Sequence, residues 1–283
     1  MPVANLTDMS RCLICLFVTL LCAASTLADD KPVDANRQRA EMLWEEAIQA
    51  KGGRTRLHSI ESFVISSTID VNAPSKRVDV MTEHLYVMPG KAWIWEYTPA
   101  YDVSLEGTVI NMDRDFCRVT LWPVGPMHSV PSLSFCVPTI LPQRLIKDPV
   151  IYLMETKWVR PTPVSTRIEG KGKKQQDVVQ TQVGQLWVDF YLDRKTHLPT
   201  KLITDENYGE PGLPTRMDQM ITFEDYTDVD GIQMPRRVIR EPLRISFVRR
   251  DTERAKYSFN VTYKEEIFNF PVTKKAKAGD WKQ

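Results

Sequence analysis

The sequence is poor in the residues that most catalytic and metal sites require. Its 283 residues include only four histidines, and none of them stands at an H-x-x-x-H spacing, so a zinc site is not indicated. There is no G-x-S-x-G elbow, no phosphate-binding glycine loop and no dinucleotide fingerprint. Acidic pairs such as Asp113 with Asp115 fall in predicted turns, where capping and solvation explain them better than acid–base chemistry. The sequence therefore predicts a protein that is not an enzyme and uses no cofactor.

An excess of charge of one sign is also missing. Lysine and arginine number 37 against 36 aspartates and glutamates, which leaves a net charge of +1. Nothing in this balance favours a nucleic-acid partner. Six arginines lie between positions 236 and 250, where they could meet lipid head groups or an acidic partner, but a solvated outer face is the favoured interpretation. They are Arg236, Arg237, Arg240, Arg244, Arg249 and Arg250.

No hydrophobic run is long enough to span a bilayer. The run from Cys12 to Ala24 is shorter than the roughly 20 residues that a membrane-spanning helix needs. It follows Arg11 and precedes the small residue Ala28, which is the layout of a secretory signal peptide over residues 1–28. An uncleaved anchor is the alternative, and a lipoprotein signal through Cys22 is less favoured. We expect an exported protein with a single β domain over 29–283, located in the periplasm or on the periplasmic face of the outer membrane.

Cysteine is scarce outside the expected signal peptide. Three of the five cysteines lie within residues 12–22, which leaves Cys117 and Cys136. A pair in an exported protein suggests a disulfide that closes a loop of about twenty residues and stabilises the fold by about 3 kcal/mol. The alternative is two unpaired thiols in separate strands.

Periodicity predicts one long helix followed by many short strands. Residues 34–50 have apolar positions at helical spacing, Asp34 can cap the start, and Gly52-Gly53 can end the helix. Leu57 and Ile60 suggest one more short turn. Strands are predicted over 63–71, 78–87, 92–97, 103–110, 116–122, 151–160, 178–183, 186–192, 200–205, 217–226, 232–239, 243–248 and 257–263. This pattern indicates a mainly β fold, a large antiparallel sheet or open barrel.

The region 123–149 interrupts this pattern because it contains six prolines, which do not fit central strands. An irregular cover is predicted, with a short helical turn over 141–146 that begins near Pro142. Such a segment could act as a gate over one face of a sheet, or it could be a plain surface loop.

Several short segments together resemble the LolA/LolB-like lipoprotein-sorting, or lipoprotein-carrier, family. They are AIQAKGG at 47–53, WVDFYLD with RKTHLP at 187–199, FEDY at 223–226, VDGIQMP at 229–235, and the ending from Asn260-Val261 to Phe268-x-x-Pro271. Residues 103–166 show no such similarity. The resemblance implies a strongly curved antiparallel sheet, an incomplete barrel, with the N-terminal helix on its concave side. In this family the hollow receives acyl chains.

The aromatic and methionine residues of the strands suggest where a ligand would bind. We expect an apolar molecule, a lipid or the acyl chains of a lipoprotein, to enter between the N-terminal helix and the sheet. The residues predicted to line the site are Leu43, Trp93, Trp95, Phe190, Tyr191 and Met220. Any one of them could instead fill a closed core. The second hypothesis is a non-catalytic structural or assembly module that binds another envelope protein through exposed strands.

Overall fold

The computed structural model describes residues 34–73, 76–99, 103–111, 116–123, 133–135, 140–184, 186–207, 216–242 and 250–268. The helices are α1 (Ala35–Lys51), α2 (Arg54–His58) and α3 (Ile140–Leu153). The strands are β1 (Ser62–Ala73), β2 (Lys76–Val87), β3 (Lys91–Thr98), β4 (Val103–Asn111), β5 (Phe116–Pro123), β6 (Leu133–Phe135), β7 (Thr162–Glu169), β8 (Gln176–Val183), β9 (Leu186–Asp193), β10 (Pro199–Asn207), β11 (Arg216–Val229), β12 (Ile232–Pro242) and β13 (Arg250–Phe259). Short 3-10 turns cover Gly172–Lys174 and Glu265–Phe268.

All thirteen strands form one antiparallel sheet in the order β6-β5-β4-β3-β2-β1-β13-β12-β11-β10-β9-β8-β7. The chain folds as two meanders, and β1 joins them by pairing with β13, so that Ile65 lies opposite Tyr257. The sheet is open, with β6 and β7 at its two edges. The predicted mainly β fold with an open antiparallel sheet is confirmed.

Helix α1 forms where its sequence predicts it. The Asp34 side chain accepts a hydrogen bond from the backbone N–H of Asn36, 3.0 Å away, and so caps the first turn. Two glycines with positive φ follow Lys51, and the N–H of Gly53 closes the end of the helix on the carbonyl of Ile48. The helix packs against β7, β8 and β12. Its buried side consists of Ala40, Trp44, Ala47, Ile48 and Lys51.

Helix α3 shows the curvature of the sheet. Its backbone approaches β4 and β12 more closely than the four strands between them, although β4 and β12 are five places apart in the sheet. In a flat sheet they would be separated by about 24 Å, and a helix lying across them would meet the middle strands equally. The sheet is therefore bowed away beneath α3. Because α1 and α3 contribute to one continuous hydrophobic core, both helices lie on the concave face, as predicted for α1.

Two expectations about the middle of the chain were wrong. The segment 151–160 is not a strand, because α3 continues to Leu153 and irregular chain follows. The buried apolar run Val150–Leu153 is compatible with a buried helix as well as with a strand, and periodicity alone does not distinguish the two. Strand β7 was not predicted at all, since Pro161 and Pro163 disfavour a central strand; the structure places β7 at the sheet edge, where proline is tolerated.

Other expectations lie outside the described residues. They are the signal peptide over 1–28, the strand over 243–248 and Cys136. The backbone of Cys117 is part of β5, but its side chain is also outside them, so the disulfide stays a prediction. Among the helices that the structure describes, none combines the length and the apolar character needed to cross a membrane.

Candidate functional site

A row of small side chains forms the floor of the concave face beneath α3. Ala255, Ser67 and Thr82 are neighbours in register across β13, β1 and β2. The hydroxyls of Ser67 and Thr82 are 2.6 Å apart, and all three residues are buried. Tyr152 of α3 packs over the same part of β13, since it contacts Glu253 and Tyr257, the residues on either side of Ala255 along this face. We call Ala255, Ser67 and Thr82 the small-residue floor.

Polar contacts connect α3 with the central strands, beside the apolar packing of Val150, Leu153 and Met154 in the main core. The hydroxyl of Tyr86 on β2 donates to Asp148 of α3. Tyr152 of α3 donates to Oε2 of Glu253 on β13 at 2.7 Å, and Arg240 of β12 donates to both the Tyr152 hydroxyl and Glu253. Hydrogen bonds of this kind exchange with water more readily than a close-packed apolar contact. The attachment of α3 therefore combines these hydrogen bonds with apolar contacts, among them the rings of Tyr152 and Tyr257, whose centroids are 5.8 Å apart.

Burial and charge act in opposite directions within this polar group. Burial raises the pKa of Tyr152 well above its ordinary value, opposed by the nearby Arg240 guanidinium, so the phenol stays protonated. Burial alone would lower the pKa of Arg240, but Tyr152, Glu253 and Asp148 together raise it. Arg240 was expected on a solvated outer face; that expectation was wrong, because its side chain is 19% exposed and ion-paired with Glu253 at 3.3 Å.

The contact between α1 and the sheet is filled by the protein's own side chains. Trp44 of α1 meets Phe190 of β9 edge-to-face, with ring centroids 5.1 Å apart. Phe190 is fully buried beside Val179 and Leu202, its partners on β8 and β10. Leu43 is half-buried and packs on the same core. The structure therefore brings together two of the six residues predicted to line a ligand, in a contact that is already closed.

The other four predicted lining residues lie on the convex face. Trp93 belongs to a second, small core with Phe268, and Trp95 packs at its margin. Tyr191 follows Phe190 in β9 and its hydroxyl donates to Glu169, which places it on the opposite side of the sheet. Met220 precedes Ile221, a concave-face residue, and so points to the convex side. The structure does not bring these four together with Leu43 and Phe190.

A buried carboxylate ties α1 and α2 to the segment that follows α3. Glu155 accepts hydrogen bonds from the Trp44 indole at 3.2 Å and from Arg54 at 2.7 Å, and it contacts His58 at 2.8 Å. Burial would raise the pKa of Glu155, but these hydrogen bonds outweigh it and lower the pKa below its ordinary value. The carboxylate is thus held in its charged form and links α1 and α2 to the segment that follows α3. We call this set of contacts the Glu155 joint.

Reasoning from the sequence missed the small-residue floor. Ser67, Thr82 and Ala255 are ordinary strand residues, and nothing in their local sequence marks them. The strand register makes these three residues neighbours, and α3 covers them. A correct pairing of β13, β1 and β2, combined with a search for adjacent small residues on one face, would have found them.

An open groove of about 450 Å³ lies at one end of the sheet. It is found where β1 begins and β2 ends, beside the chain that follows β13. Its walls are formed by Ser59, Glu61, Ser62, Val87, Met88, Trp158, Asn260, Val261 and Tyr263. We call it the terminal groove. In the part of the chain that the structure describes, no group of three or more histidine, cysteine, aspartate or glutamate side chains is placed to hold a metal ion.

An open, bowed antiparallel sheet with helices on its concave face defines the LolA-like fold. The chain is similar to the crystal structure of a DUF1329 family protein from Desulfovibrio piger, with a TM-score of 0.51, 8% identity, and coverage of 82% of this chain and 97% of that one. It is also similar to the LolA superfamily protein NE2245 from Nitrosomonas europaea, with a TM-score of 0.50, 16% identity, and coverage of 81% and 97%. These likenesses show the fold. No protein-family profile matches the chain, and neither does any curated protein.

Proposed function

We propose that this protein is a non-enzymatic carrier of the bacterial cell envelope that holds an apolar ligand, such as a lipid or the acyl chains of a lipoprotein. The proposal is supported by the LolA-like fold, by the sequence segments that resemble the lipoprotein-sorting family, and by the signal-peptide pattern at 1–28. An exported location, in the periplasm or on the periplasmic face of the outer membrane, is part of the proposal.

The ligand is proposed to bind beneath α3, on the small-residue floor. The alternative access route, between α1 and the sheet, is disfavoured by the buried contact of Trp44 with Phe190. Opening that contact would expose two large aromatic side chains and would also break the Glu155 joint. Opening α3 breaks hydrogen bonds at Asp148 and Tyr152 that water can replace, and it exposes the apolar residues Val150–Met154, which a bound acyl chain would cover again.

The observation that carries the proposal is the placement of the small-residue floor below a helix whose backbone approaches mainly the flanking strands. Large side chains stand around this floor. Ile65 lies in the next row on one side, and Ile69 with Val80 lies on the other. A ligand lying across Ser67 would therefore be bordered by these apolar side chains together with His84 and Glu253, which lie opposite Ile65 and Ile69. Burial of its chain would contribute on the order of 25 cal/mol per Å².

The first test is to look for cargo. Lipid extraction and mass spectrometry of the protein purified from its native envelope should find a stoichiometric apolar molecule, and the delipidated protein should take up a fluorescent fatty acid. Amide exchange provides an independent readout. The amides of α3 should exchange faster than those of α1 in the delipidated protein and should become protected when the fatty acid binds. A preparation without cargo, combined with no uptake and no change in α3 protection, would reject the carrier.

The second candidate, an assembly module that binds another envelope protein, is favoured by one observation, the terminal groove with its exposed tryptophan. The carrier function uses the concave face beneath α3, whereas the assembly function uses the terminal groove. The two functions are therefore compatible with each other.

A further inference from the structure

The terminal groove has a rigid aromatic wall. Trp158 is 48% exposed, which is unusual for a tryptophan in a position with an ordered backbone. The fully buried Thr156 holds this segment in place, because its hydroxyl accepts the backbone N–H groups of Trp158 at 3.3 Å and Val159 at 3.0 Å. An exposed aromatic ring on a fixed backbone loses little entropy when it binds a partner, and tryptophans are over-represented among the residues that dominate binding energies.

The opposite wall carries a stretch of backbone whose N–H groups are unpaired in the described structure. In the ladder between β1 and β13 the last rung is the bond from the N–H of Asn260 to the carbonyl of Ser62. The Asn260 side chain then donates to the carbonyl of Ser59 and accepts from the N–H of Glu61. Within the described chain, the backbone N–H groups of residues 261–264 have no hydrogen-bond partner, whereas the carbonyls of Val261 and Lys264 accept from the Ser62 hydroxyl and the N–H of Ile267.

This stretch has the exposure pattern of a strand. Val261 and Tyr263 are half-buried and pack on the convex-face core, whereas Thr262 and Lys264 are exposed. Alternation with a period of two is typical of extended chain. Extended backbone with unpaired donors, beside a groove that is partly lined by apolar side chains, is an arrangement to which a peptide can add as a further strand.

We propose that the terminal groove docks an extended segment of a partner protein, which pairs with the backbone of 261–264 and inserts one apolar or aromatic side chain beside Trp158. The volume of about 450 Å³ accommodates one large side chain with its neighbours. Val87, Met88 and Tyr263 supply the apolar contacts for this anchor side chain. The backbone donors favour a polypeptide over a lipid, because an acyl chain would leave them unpaired.

Short peptides test this proposal on the full chain. The probes are fluorescein-labelled hexapeptides of sequence Thr-Val-X-Val-Thr-Lys, in which X is phenylalanine, leucine or serine, and binding is followed by fluorescence anisotropy. The phenylalanine and leucine peptides should bind at least about ten-fold more tightly than the serine peptide. Trp158→Ala should weaken binding by about ten-fold or more, whereas Trp187→Ala, which removes another exposed tryptophan, should leave it unchanged. Methylation of alternate peptide nitrogens should abolish binding, because it removes the strand pairing.

Three results would overturn the proposal. The first is that no peptide binds, or that Trp158→Ala binds as well as the wild type. The second is that the methylated peptide binds equally well, which would mean that apolar contacts alone, without strand pairing, account for binding. The third is that the groove serves another occupant. Dimerisation that Trp158→Ala abolishes would assign it to a second copy of this chain, and binding of phosphatidylglycerol vesicles that depends on Trp158 would assign it to a lipid surface.

Discussion

The indole nitrogen of Trp44 lies 3.2 Å from Oε2 of Glu155, and this hydrogen bond joins α1 to the segment that follows α3. Arg54 and His58 of α2 reach the same carboxylate. One buried acidic side chain thus holds together α1, α2 and the segment that follows α3. We therefore expect α1 to stay in place when α3 is displaced.

Glu155→Gln is expected to lower the free energy of unfolding by about 2 kcal/mol, because it leaves a buried cluster of donors without their charged acceptor. Chemical denaturation measures the change. Glu45→Gln is the matched control, since Glu45 also pairs with Arg54 but is half exposed, and its loss should change the free energy of unfolding by less than about 1 kcal/mol. Equal effects of the two substitutions would refute the role of Glu155.

The contribution of Glu155 should depend on pH. Its pKa is lowered in the folded protein, so its stabilising effect is present above the unfolded value near 4.5 and is lost as the pH falls through the folded pKa. The difference in unfolding free energy between the wild type and Glu155→Gln should therefore be constant near pH 7 and shrink below about pH 4.5. Denaturation curves of both proteins from pH 7 to pH 3 provide the comparison. A difference that grows on acidification would contradict this account.

Lys51 should destabilise the fold. Burial lowers the pKa of Lys51 from 10.5 to about 7, and its ammonium group meets only the face of the Tyr226 ring, 5.3 Å away, in the described structure. The penalty is complete below pH 7 and disappears as the pH rises towards 10.5. Lys51→Met should raise the free energy of unfolding by roughly 2–4 kcal/mol at pH 7, and the gain should shrink by pH 10.

Denaturation of both proteins at pH 7, 8.5 and 10 measures this effect. Lys171→Met, at an exposed position in a turn, is the control and should be neutral. A gain for Lys51→Met that is the same at every pH would mean that apolar packing, rather than the charge, decides the effect.

Gly52 is required where α1 meets the turn between β11 and β12. A Cβ atom at this position would lie 2.5 Å from the carbonyl oxygen of Gly231, and the φ of Gly52 is +137°. Gly52→Ala should lower the free energy of unfolding by about 3 kcal/mol. Gly184→Ala, which has a positive φ but open space around it, should cost only about 1 kcal/mol by strain. Thermal unfolding of the two variants measures the difference, and equal losses would contradict the special requirement for glycine at position 52.

The sequence predicts the secondary structure of the protein better than it predicts the residues that line the candidate site. Helix α1 and most strands follow from periodicity and from residues that prefer turns, because each is decided by neighbours in the chain. The side of the sheet on which each aromatic residue lies is decided by strand register and by what covers each face. Trp93 and Phe190 both look like lining residues in the sequence, yet Trp93 packs on the convex face with Phe268 and Phe190 packs beneath α1.

Helix α3 was predicted only in part, as a short helical turn over 141–146, whereas the helix covers Ile140–Leu153. Its apolar residues are β-branched in part, and Pro149 lies inside it, so local preference does not favour a helix of this length. Its long-range contacts, Tyr86 with Asp148 and Tyr152 with Glu253, join residues about 60 to 100 positions apart in the chain. Packing against the concave face therefore decides how far the helix extends, and the local pattern indicates only its first part.

The most direct test of the carrier account fills the small-residue floor. Ser67 faces α3, and the next residue, Thr68, is exposed on the other side of the sheet. Uptake of a fluorescent fatty acid is measured for Ser67→Phe and Thr68→Phe, with thermal unfolding to show that both are folded; Ala255→Leu and Lys256→Leu form a milder second pair. We predict that Ser67→Phe and Ala255→Leu weaken uptake by about ten-fold or more, while their neighbours bind as the wild type does. Folded Ser67→Phe and Ala255→Leu proteins that take up the fatty acid normally would contradict the account.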